Sequence, residues 1–470
     1  MAATSWIGNA VATKDVWTIT VANTWATADT GTVTINGKDL VVTIGANVTT
    51  AQVATTIKEA WESATFTDTT ASCLPQGGGT SIPEMSLLTA TVSGSTVILT
   101  ADTAGIPHTI SVSETTAGSG TLSIAHTVTA TGPNYWSDAD NWSGGAVPSS
   151  SDDVTIDRAV SILYGLAQSA VTLTSLTITE RFTSAAQIGL LKRNATGYEE
   201  YRATELAISA TTINCRGSSS LIKLNLGTAQ TTCNVYSTGT TAETGRSAFQ
   251  VRGTHASNVF NFYGGDCGLG SNDETAVGAT VRQESGTLVV GSATTLTTLN
   301  KLAGTATVRC AATTLNNSSG SLTHTSGNVT TVTNGGSFVE SGSGTITSLL
   351  MTGGTATLGS NSTVTTLSKI GGAAVSYGTV GTIINEGGTV TIHAGNVTSY
   401  SVVRGSGYYY GSGTITALYL YNGSPIYFDG ATTGCTVTDT TIVGRGSIID
   451  IADRVTFTNP IAWSGTLTIS

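Results

Sequence analysis

The ionisable side chains of the C-terminal part of the chain are the first candidates for chemistry. Hydrolysis of a glycosidic bond needs two carboxylates at one place, or a carboxylate with a base and a metal ion. The acids and histidines between residues 296 and 430 are Glu340, Glu386, Asp429, His324 and His393. They fall at different places in the repeat described below, which predicts isolated, solvated side chains. The sequence also lacks GxSxG, HExxH, P-loop and Rossmann motifs, so we predict no enzyme and no catalytic or cofactor-binding residue.

A second group of carboxylates lies in the segment between residues 131 and 160. Asp138, Asp140, Asp152 and Asp153 offer oxygen ligands for Ca²⁺, but a DxD spacing without a complete loop pattern is a weak signal. The two tryptophans of this segment provide an alternative, because large apolar side chains can cover the open end of a β-coil. We favour the cap and predict no metal site.

The six cysteines are scattered along the chain, without a CxxC pair or a nearby set of histidines. This distribution does not indicate metal binding. The spacing of Cys215 and Cys233 matches one turn of the coil, so the two could stack on adjacent turns. Buried free thiols are the favoured interpretation, and a disulfide between these two is the alternative.

Tyrosines concentrate near the end of the repeat. A step of one full turn from the preceding strand places Tyr409 and Tyr427 on the outside, where Tyr419 and Tyr421 are also expected. Exposed aromatic rings can pack against another chain, bind the sugar rings of a host-surface glycan, or only stabilise a ladder. The sequence leaves these three alternatives open.

A charged insertion, Gln187–Glu205, is the second candidate contact surface. Its contact residues are predicted to be Arg193, Tyr198, Glu199, Glu200 and Arg202. Fibres of this kind gain stability and closed symmetry by sharing faces between copies. We therefore predict a homo-oligomer, a trimer, with the outward tyrosines and this insertion at the contacts.

These side chains are positioned by a repeat with a period of about 17 residues, whose individual steps vary by one. One apolar track consists of Leu296, Ala312, Val329, Ile346, Val364, Val380, Val397 and Ile415. A second consists of Leu299, Leu315, Val332, Leu349, Leu367, Ile383, Tyr400 and Leu418. A single turn has too few apolar residues to form a core, whereas stacked turns bury a continuous column. The spacing predicts a single-chain parallel β-helix, or solenoid, that is regular over residues 291–470 and looser, with insertions, over 161–290.

Residues 1–130 have a different pattern, typical of a compact α+β module. Strands are predicted at Val16–Val21, Thr32–Ile35, Leu40–Ile44, Thr89–Val92, Thr96–Thr100, His108–Ser113 and Leu122–Val128. Asn36-Gly37 indicates a hairpin turn. A helix capped by Thr49 or Thr50 is predicted to bury Val53, Ala54, Ile57, Trp61 and Ala64.

Composition agrees with a mainly β protein and restricts its partners. Charged residues make up 10% of the chain, apolar residues 39%, and glycines number 56; threonine and valine suit strands, and glycine suits turns. The net charge of −10 gives no basic surface for nucleic acid. No apolar window reaches the length of a membrane span, and the N-terminus has no signal-peptide pattern. We expect no nucleic-acid partner, no membrane span and assembly inside the cell.

Several short motifs resemble a group of little-characterised β-helical proteins that bacteriophages, prophages and some aquatic bacteria encode. The motifs are Ile35-Asn-Gly-Lys38, Thr96-Val-Ile-Leu-Thr-Ala-Asp-Thr-Ala-Gly-Ile-Pro-His-Thr109, Trp142-Ser-Gly-Gly-Ala-Val-Pro148, Tyr198-Glu-Glu-Tyr-Arg202 and Gly253-Thr-His-Ala-Ser-Asn258. The resemblance covers nearly the whole chain and implies a virion component, such as a head decoration protein, a head fibre or a tail fibre.

The expected organisation is an anchoring module over residues 1–130, a cap over 131–160 and a projecting solenoid. The module would bind other virion proteins of the capsid or tail, and the particle would be assembled in the host cytoplasm. An exported surface adhesin or matrix protein, placed outside the cell or at its surface, is the alternative. A tailspike-type polysaccharide depolymerase is the third hypothesis, and it requires an acidic cleft.

Overall fold

The computed structural model describes residues 3–35, 37–62, 71–73, 84–192, 200–270, 274–428, 434–449 and 454–464. Most of these residues lie in strands. A small N-terminal α+β region is followed by a parallel β-solenoid of about 16 turns of about 18 residues each. The fold class predicted from the sequence is confirmed.

The N-terminal module contains two four-stranded antiparallel sheets. In spatial order, one sheet consists of Leu88–Ser93, Thr96–Ala101, Val16–Ala22 and Thr121–Val128. The other consists of Ala71–Cys73, Lys38–Ile44, Thr30–Ile35 and Ile110–Thr115. The predicted hairpin is confirmed, since Ile35 pairs with Lys38. Gly37 has a φ of +73°, and Asn36 lies outside the described residues.

The helix of the module, Thr50–Glu62, begins at a capping box. The Thr49 hydroxyl accepts a hydrogen bond from the Gln52 N–H at 3.2 Å, and Gln52 Oε1 accepts one from the Thr49 N–H at 2.8 Å. The buried face of the helix consists of Val53, Ala54, Thr56, Ile57, Ala60 and Trp61. This is the predicted apolar stripe, except that Ala64 lies outside the described residues.

Each regular turn of the solenoid contributes one strand to each of two series. The first series is Asp153–Ile156, Ala167–Ile178, Leu206–Cys215, Thr232–Val235, Val259–Phe262, Ala276–Gln283, Thr294–Lys301, Ala312–Asn317, Val329–Asn334, Thr345–Met351, Thr363–Lys369, Thr379–Asn385, Val397–Val402, Thr414–Tyr421, Cys435–Val443, and finally Val455–Phe457 and Ala462–Ser464. The second is Ile222–Asn225, Phe249–Arg252, Asp266–Leu269, Thr287–Val290, Thr305–Val308, Ser321–His324, Ser337–Glu340, Thr355–Leu358, Ala373–Ser376, Thr389–Ile392, Ser406–Tyr409, Ser424–Tyr427 and Gly446–Ile449.

The predicted apolar column is confirmed residue by residue. Leu299, Leu315, Val332, Leu349, Leu367 and Ile383 pair directly from turn to turn, and each is 0% exposed. Strands of the first series also turn a corner. In Thr345–Met351 the buried residues are Ile346, Leu349 and Met351, and a spacing of three breaks the alternation of a straight strand. Each turn therefore has three short sides.

One column of the interior is mainly polar, and it lies where strands of the first series end. Gln283, Lys301, Asn317, Asn334, Met351, Lys369 and Asn385 pair in this order along the axis. Their amides and ammonium groups bind backbone carbonyls. Asn334 Nδ2, for example, donates to the carbonyls of Gly336 and Thr355 at 3.0 and 2.9 Å. These bonds add to the backbone pairing, since the Gly336 carbonyl also accepts from the Thr355 N–H at 2.8 Å, and they give the buried polar side chains partners.

Three tryptophans close the first turn of the solenoid. Trp142 packs edge-on against Trp6 and Trp136, with ring centroids 5.0 and 4.7 Å apart, and all three are buried in the solenoid core. The strand Ala3–Ser5 pairs with Asp153–Ile156. We call these three tryptophans the tryptophan cap. The assignment of the whole segment 131–160 as a cap stays a prediction, and the first described strand, Ala3–Ser5, pairs with the solenoid and not with the module predicted over residues 1–130.

Candidate functional site

The predicted tyrosine cluster contains one residue that points inward. Tyr409 pairs with Ile392 of the preceding turn and is 0% exposed. Its hydroxyl donates to the Gly395 carbonyl at 2.8 Å, and burial raises its pKa above the usual value. The prediction that Tyr409 faces outward is wrong. It assumed a step of 18 residues, which would pair Ile392 with Tyr410, whereas this turn has 17 residues and Ile392 pairs with Tyr409. A slip of one residue reverses the face of a strand.

Tyr408 takes the outward position and stacks on Tyr427, with centroids 4.7 Å apart and planes 10° apart. Tyr410 lies edge-on to Tyr408 and to His393, at 6.0 and 5.6 Å. His393 stacks on Tyr377 at 4.7 Å. We call these five residues the aromatic ladder. In the two stacked pairs each ring covers a face of its neighbour, so the ladder presents mainly ring edges and stabilises adjacent turns.

Tyr419 and Tyr421 lie on either side of the buried Leu420 and are half-buried on the outside of their strand. Tyr427, at the end of the strand Ser424–Tyr427, is also half-buried. These three residues face outward as the sequence predicted. Their proposed roles in subunit or glycan contact remain predictions.

The charged insertion is described at its two ends, residues 187–192 and 200–205, and Arg193, Tyr198 and Glu199 lie outside the described residues. Arg202 donates two hydrogen bonds to Glu200, each 2.8 Å long, from Nε and Nη2. Burial would raise the pKa of Glu200, but the hydrogen bonds and charge of Arg202 hold it below its usual value. The pair is half-buried and internally satisfied.

His324 and Glu340 are paired inside the solenoid, contrary to the expectation of isolated, solvated side chains. Both are 0% exposed, and His324 Nδ1 lies 2.5 Å from Glu340 Oε2. His324 Nε2 lies 3.0 Å from the Cys310 carbonyl oxygen, and the Gly342 N–H donates to Glu340 Oε1 at 2.9 Å. Burial opposes protonation of His324, but Glu340 outweighs it and raises the pKa of the imidazole.

The aspartates of the cap have structural roles. Asp138 Oδ1 accepts from the Asp140 N–H at 3.1 Å, Asp152 Oδ2 accepts from Ser149, and Asp153 Oδ1 accepts from the Ser175 hydroxyl at 2.6 Å. Among the described residues, no group of three or more His, Cys, Asp or Glu side chains is arranged to hold a metal ion. The described part of the chain also has no helix with the length and apolar character of a membrane span.

Cys215 and Cys233 are free, buried thiols, as the favoured interpretation held. They are offset by two residues in the strand pairing, because Cys215 pairs with Val235 and Cys233 with Ile213. Burial raises the pKa of the Cys215 thiol to about 12. Cys267 and Cys310 are likewise free and buried, so these cysteines act as small apolar core residues.

Asp15 joins the two ends of the N-terminal module, next to the cap. Its carboxylate is 0% exposed and accepts hydrogen bonds from the N–H groups of His108 and Ala130, at 2.9 and 3.1 Å. Trp17 Nε1 donates to it at 3.0 Å, and His126 Nε2 lies 2.6 Å away. Burial alone would raise the pKa of Asp15, but the His108 imidazole, whose Nδ1 lies 3.6 Å away, together with His126, Trp17 and the His108 N–H, lowers it to about 2. One carboxylate thus fixes the strands that enter and leave the module.

A cluster of charged side chains lies on the outer side of the looser turns. Lys223 Nζ and Glu243 Oε2 are 2.6 Å apart, with 1% and 5% of the side chains exposed. Arg246 lies 3.6 Å from both Glu243 and Glu274. Arg246 Nη1 also donates to Gln250 Oε1 at 3.2 Å. The four charges fix the loop that contains Glu243 and Arg246 over the strand Ile222–Asn225.

This loop forms the wall of a groove with a volume of about 390 Å³. We call it the glycine-floored groove; its lining is Thr241, Gly245, Arg246, Ser247, Gln250, Asp266, Gly268, Gly270, Val289, Gly291 and Arg309. The strand pairings place Arg252, Gly270, Gly291 and Arg309 at equivalent positions on successive turns. Gly268 leaves the floor open, because a Cβ there would lie against Ser247 and Gln250 of the lining.

Comparison with protein-family models, curated proteins and solved structures finds no match to this chain. The geometry of the described residues is therefore the basis for assigning a function. The groove offers guanidinium, carboxylate, amide and hydroxyl groups beside an open floor. Such a set of side chains can bind a polar ligand without any chemistry on it.

The sequence analysis did not predict the groove. Turn lengths are irregular in this region, as the long interval between the paired residues Ile222 and Phe249 shows, so no fixed period relates its residues. A usable signal was the concentration of charged residues between about 180 and 284, in a chain with 10% charged residues.

Proposed function

We propose that this chain is a non-enzymatic structural component of a bacteriophage virion: a head decoration protein, head fibre or tail fibre. The N-terminal module attaches it to the capsid or tail, and the solenoid projects as a rod. The observation that carries the proposal is a long solenoid, closed at its first turn by the tryptophan cap, that continues into one compact module whose two ends are tied together by Asp15.

The dimensions of the solenoid suit a rod. About 16 turns stacked at about 4.8 Å give a length of about 75 Å. Every turn pairs with the next through backbone hydrogen bonds, and the core is continuous from the cap to the last turns. Such a coil is stiff along its axis and gains length by adding turns.

The outer surface of the regular turns favours association with further copies. Six charged residues lie between residues 287 and 428. Three of them, Lys301, Glu340 and Lys369, are buried, which leaves Arg309, Glu386 and Arg404 on the outside. Depletion of charge is typical of interface cores, and this low charge supports the proposed homotrimer. Light scattering of the purified chain tests it: a stable monomer at micromolar concentration would contradict the trimer.

A module deletion tests the proposed polarity. Thr13 and Thr131 lie side by side, with their hydroxyl oxygens 2.9 Å apart, so a short Gly/Ser linker can replace residues 14–130 and leave the cap intact. Both chains are added to particles of the encoding phage that lack the protein. We expect the full chain to bind and the deletion variant, with its β-rich circular dichroism retained, to stay free.

Two outcomes would overturn the proposal. Binding of the deletion variant would reverse the polarity, because the solenoid would then be the attached part. Failure of the full chain to bind any such particle would favour the exported adhesin or matrix protein. A gene neighbourhood with capsid or portal genes would support the virion, and an export signal encoded upstream would support the adhesin.

A further inference from the structure

We propose that the glycine-floored groove binds an acidic oligosaccharide, a hydroxyl-rich chain that carries carboxylates, of which polyuronates are the simplest case. This inference goes beyond the proposed structural role and does not depend on it, since purified protein alone can test it. Three features of the groove support this ligand: its shape, its charged and polar side chains, and a floor strand that is paired on both sides.

The shape of the groove suits an extended ligand that lies along the solenoid axis. Gln250 pairs with Gly268, and Gly268 pairs with Val289 of the next turn. A Cβ at Gly268 would lie 3.4 Å from the Ser247 side chain and 3.7 Å from Gln250 Cγ, so a larger residue would fill the floor. From the turn of Gln250 to the turn of Arg309 there are three steps of about 4.8 Å, or about 14 Å, long enough for a short oligosaccharide.

Arg309 gives the groove a cation that an anionic group of a ligand can bind. In the described part of the chain the Arg309 guanidinium has no ion-pair partner. The Arg309 backbone is held by the hydrogen bond from its N–H to the Val290 carbonyl. A guanidinium binds a carboxylate through two parallel hydrogen bonds. Arg246, at the opposite end of the groove, is already held by Glu243, Glu274 and Gln250, so it is oriented before a ligand arrives.

Hydroxyl groups of the ligand find partners between the two arginines. Asp266 Oδ2 accepts a hydrogen bond from the Ala248 N–H at 3.0 Å, which fixes the carboxylate at the groove. A carboxylate with two oxygens and about four lone-pair sites can accept further hydrogen bonds. Ser247 and Thr241 add hydroxyls to the lining. An acceptor carboxylate beside a cationic end matches a ligand that has both hydroxyls and carboxylates.

An acidic peptide would be less well satisfied in the same groove. An extended peptide is recognised through main-chain hydrogen bonds to a free strand edge. The floor strand, Asp266–Leu269, is paired on both sides, with Phe249–Arg252 and with Thr287–Val290, so it offers no edge. Side chains provide the polar groups of the groove, and they suit the hydroxyls of a sugar chain.

The test is isothermal titration of the full chain with acidic hexasaccharides, namely galacturonate, mannuronate and hyaluronan hexamers. Maltohexaose serves as the neutral probe and hexaglutamate as the acidic peptide. We expect at least one acidic hexasaccharide to bind and maltohexaose to bind at least about 10-fold more weakly, because hydrogen bonds between a guanidinium and a carboxylate are stronger than those to a neutral hydroxyl.

Three variants locate the site. Arg309→Gln removes the free guanidinium and should weaken binding by about 10-fold or more. Gly268→Val fills the floor without changing charge and should abolish binding; its extended backbone accepts a β-branched residue. Arg404→Gln, at an exposed arginine of a distant turn, should leave binding unchanged. Melting curves confirm that each variant is folded.

Three results would overturn the proposal. One is that no acidic hexasaccharide binds the wild-type chain at about 10 mM, beyond the range of weak specific recognition. Another is that folded Gly268→Val binds as tightly as wild type, which would place the ligand elsewhere. The last is that hexaglutamate binds as tightly as the best sugar, which would make the ligand class wrong.

Discussion

His324 and Glu340 occupy equivalent positions in successive turns, and His324 Nδ1 lies 2.5 Å from Glu340 Oε2 in the solenoid interior. The neighbours of this pair in the same column are Val308 and Leu358, both buried. An apolar residue therefore fits the column. The pair places two charges where removal from water is costly, and it is sustained only because each member satisfies the other.

The single and the double substitution should therefore have different effects on the free energy of unfolding. His324→Leu leaves the Glu340 carboxylate buried and unpaired, and should lower the free energy of unfolding by about 3–5 kcal/mol. The double variant His324→Leu/Glu340→Leu extends the apolar column and should be neutral or stabilising by about 1–4 kcal/mol. Denaturant unfolding followed by circular dichroism measures both. A double variant less stable than the single one would contradict this account.

The same pair predicts a pH dependence. Glu340 raises the pKa of His324 above the ordinary 6.5, so the folded chain binds the imidazole proton more tightly than the unfolded chain. The stabilisation is complete below pH 6.5 and is lost as the pH rises through the higher pKa of the folded state. The melting temperature of wild type, measured relative to the double leucine variant, should fall between pH 6 and pH 9. A difference constant with pH would disprove a protonated pair.

The sequence was sufficient to predict the solenoid core because one register relates Leu299, Leu315, Val332 and their successors. The same register would have placed Glu340 one step of the repeat after His324, where the structure pairs them. We nevertheless expected both side chains in solvent, because charged residues are rarely buried unless they are paired. Tyr409 was misplaced for a smaller reason, since turns of the solenoid differ in length by single residues, and one residue reverses the face.

The groove and the module joint depend on contacts that no period encodes. Arg309 lines the groove three turns after Gln250, and these turns differ in length. Asp15, at the start of the module, binds Ala130 at its end. Loops of irregular length fix such contacts through side-chain hydrogen bonds. Hydrophobic periodicity, which located the strands, contains no information about them.

The buried lysines of the interior polar column should give a pH dependence of opposite sign. Burial lowers the pKa values of Lys301 and Lys369 to about 8, from 10.5. Above pH 8 the unfolded chain holds more protons than the folded one, so the stability contribution rises from about pH 8 to 10.5. Lys369→Met, which copies Met351 of the adjacent turn, should reduce this rise, and Lys301→Met/Lys369→Met should remove it. The exposed Lys14→Met is the matched control. Thermal melts across this range provide the measurement.

The tryptophan cap predicts a local loss of stability. Trp142 is 1% exposed between Trp6 and Trp136, and Trp142→Ala should cost about 3–5 kcal/mol. Because each turn of a solenoid contacts only its neighbours, amide hydrogen exchange should accelerate at Asp153–Ile156 and remain slow near Leu367. Trp463→Ala removes a tryptophan that is 44% exposed and should cost less than about 1 kcal/mol. Uniform loss of protection along the whole rod would contradict the cap.

Asp15 should make the contact between the two ends of the module sensitive to acid. Its partners lower the pKa of the carboxyl to about 2, from 3.8, so the unfolded state binds the proton more readily. The contribution is present above about pH 4 and is lost as the pH falls towards 2, with a magnitude of order 2 kcal/mol. Asp15→Asn keeps the size of the side chain but lacks the charge that His126 and the two backbone N–H groups contact.

At pH 7 that variant should be less stable than wild type by about 1–3 kcal/mol, the cost of weakened hydrogen bonds to a buried charge. The difference should shrink as both chains are taken from pH 7 towards pH 2, because below about pH 4 the unfolded wild-type chain binds a proton at Asp15 that the folded chain takes up only near pH 2. Limited proteolysis at the 129–132 connection gives a readout specific to the joint, and cleavage should be faster in the variant. Asp102→Asn, at an exposed carboxylate that accepts a hydrogen bond from Thr89 at 2.6 Å, is the control. Equal cleavage of the two variants would show that Asp15 does not hold the module in place.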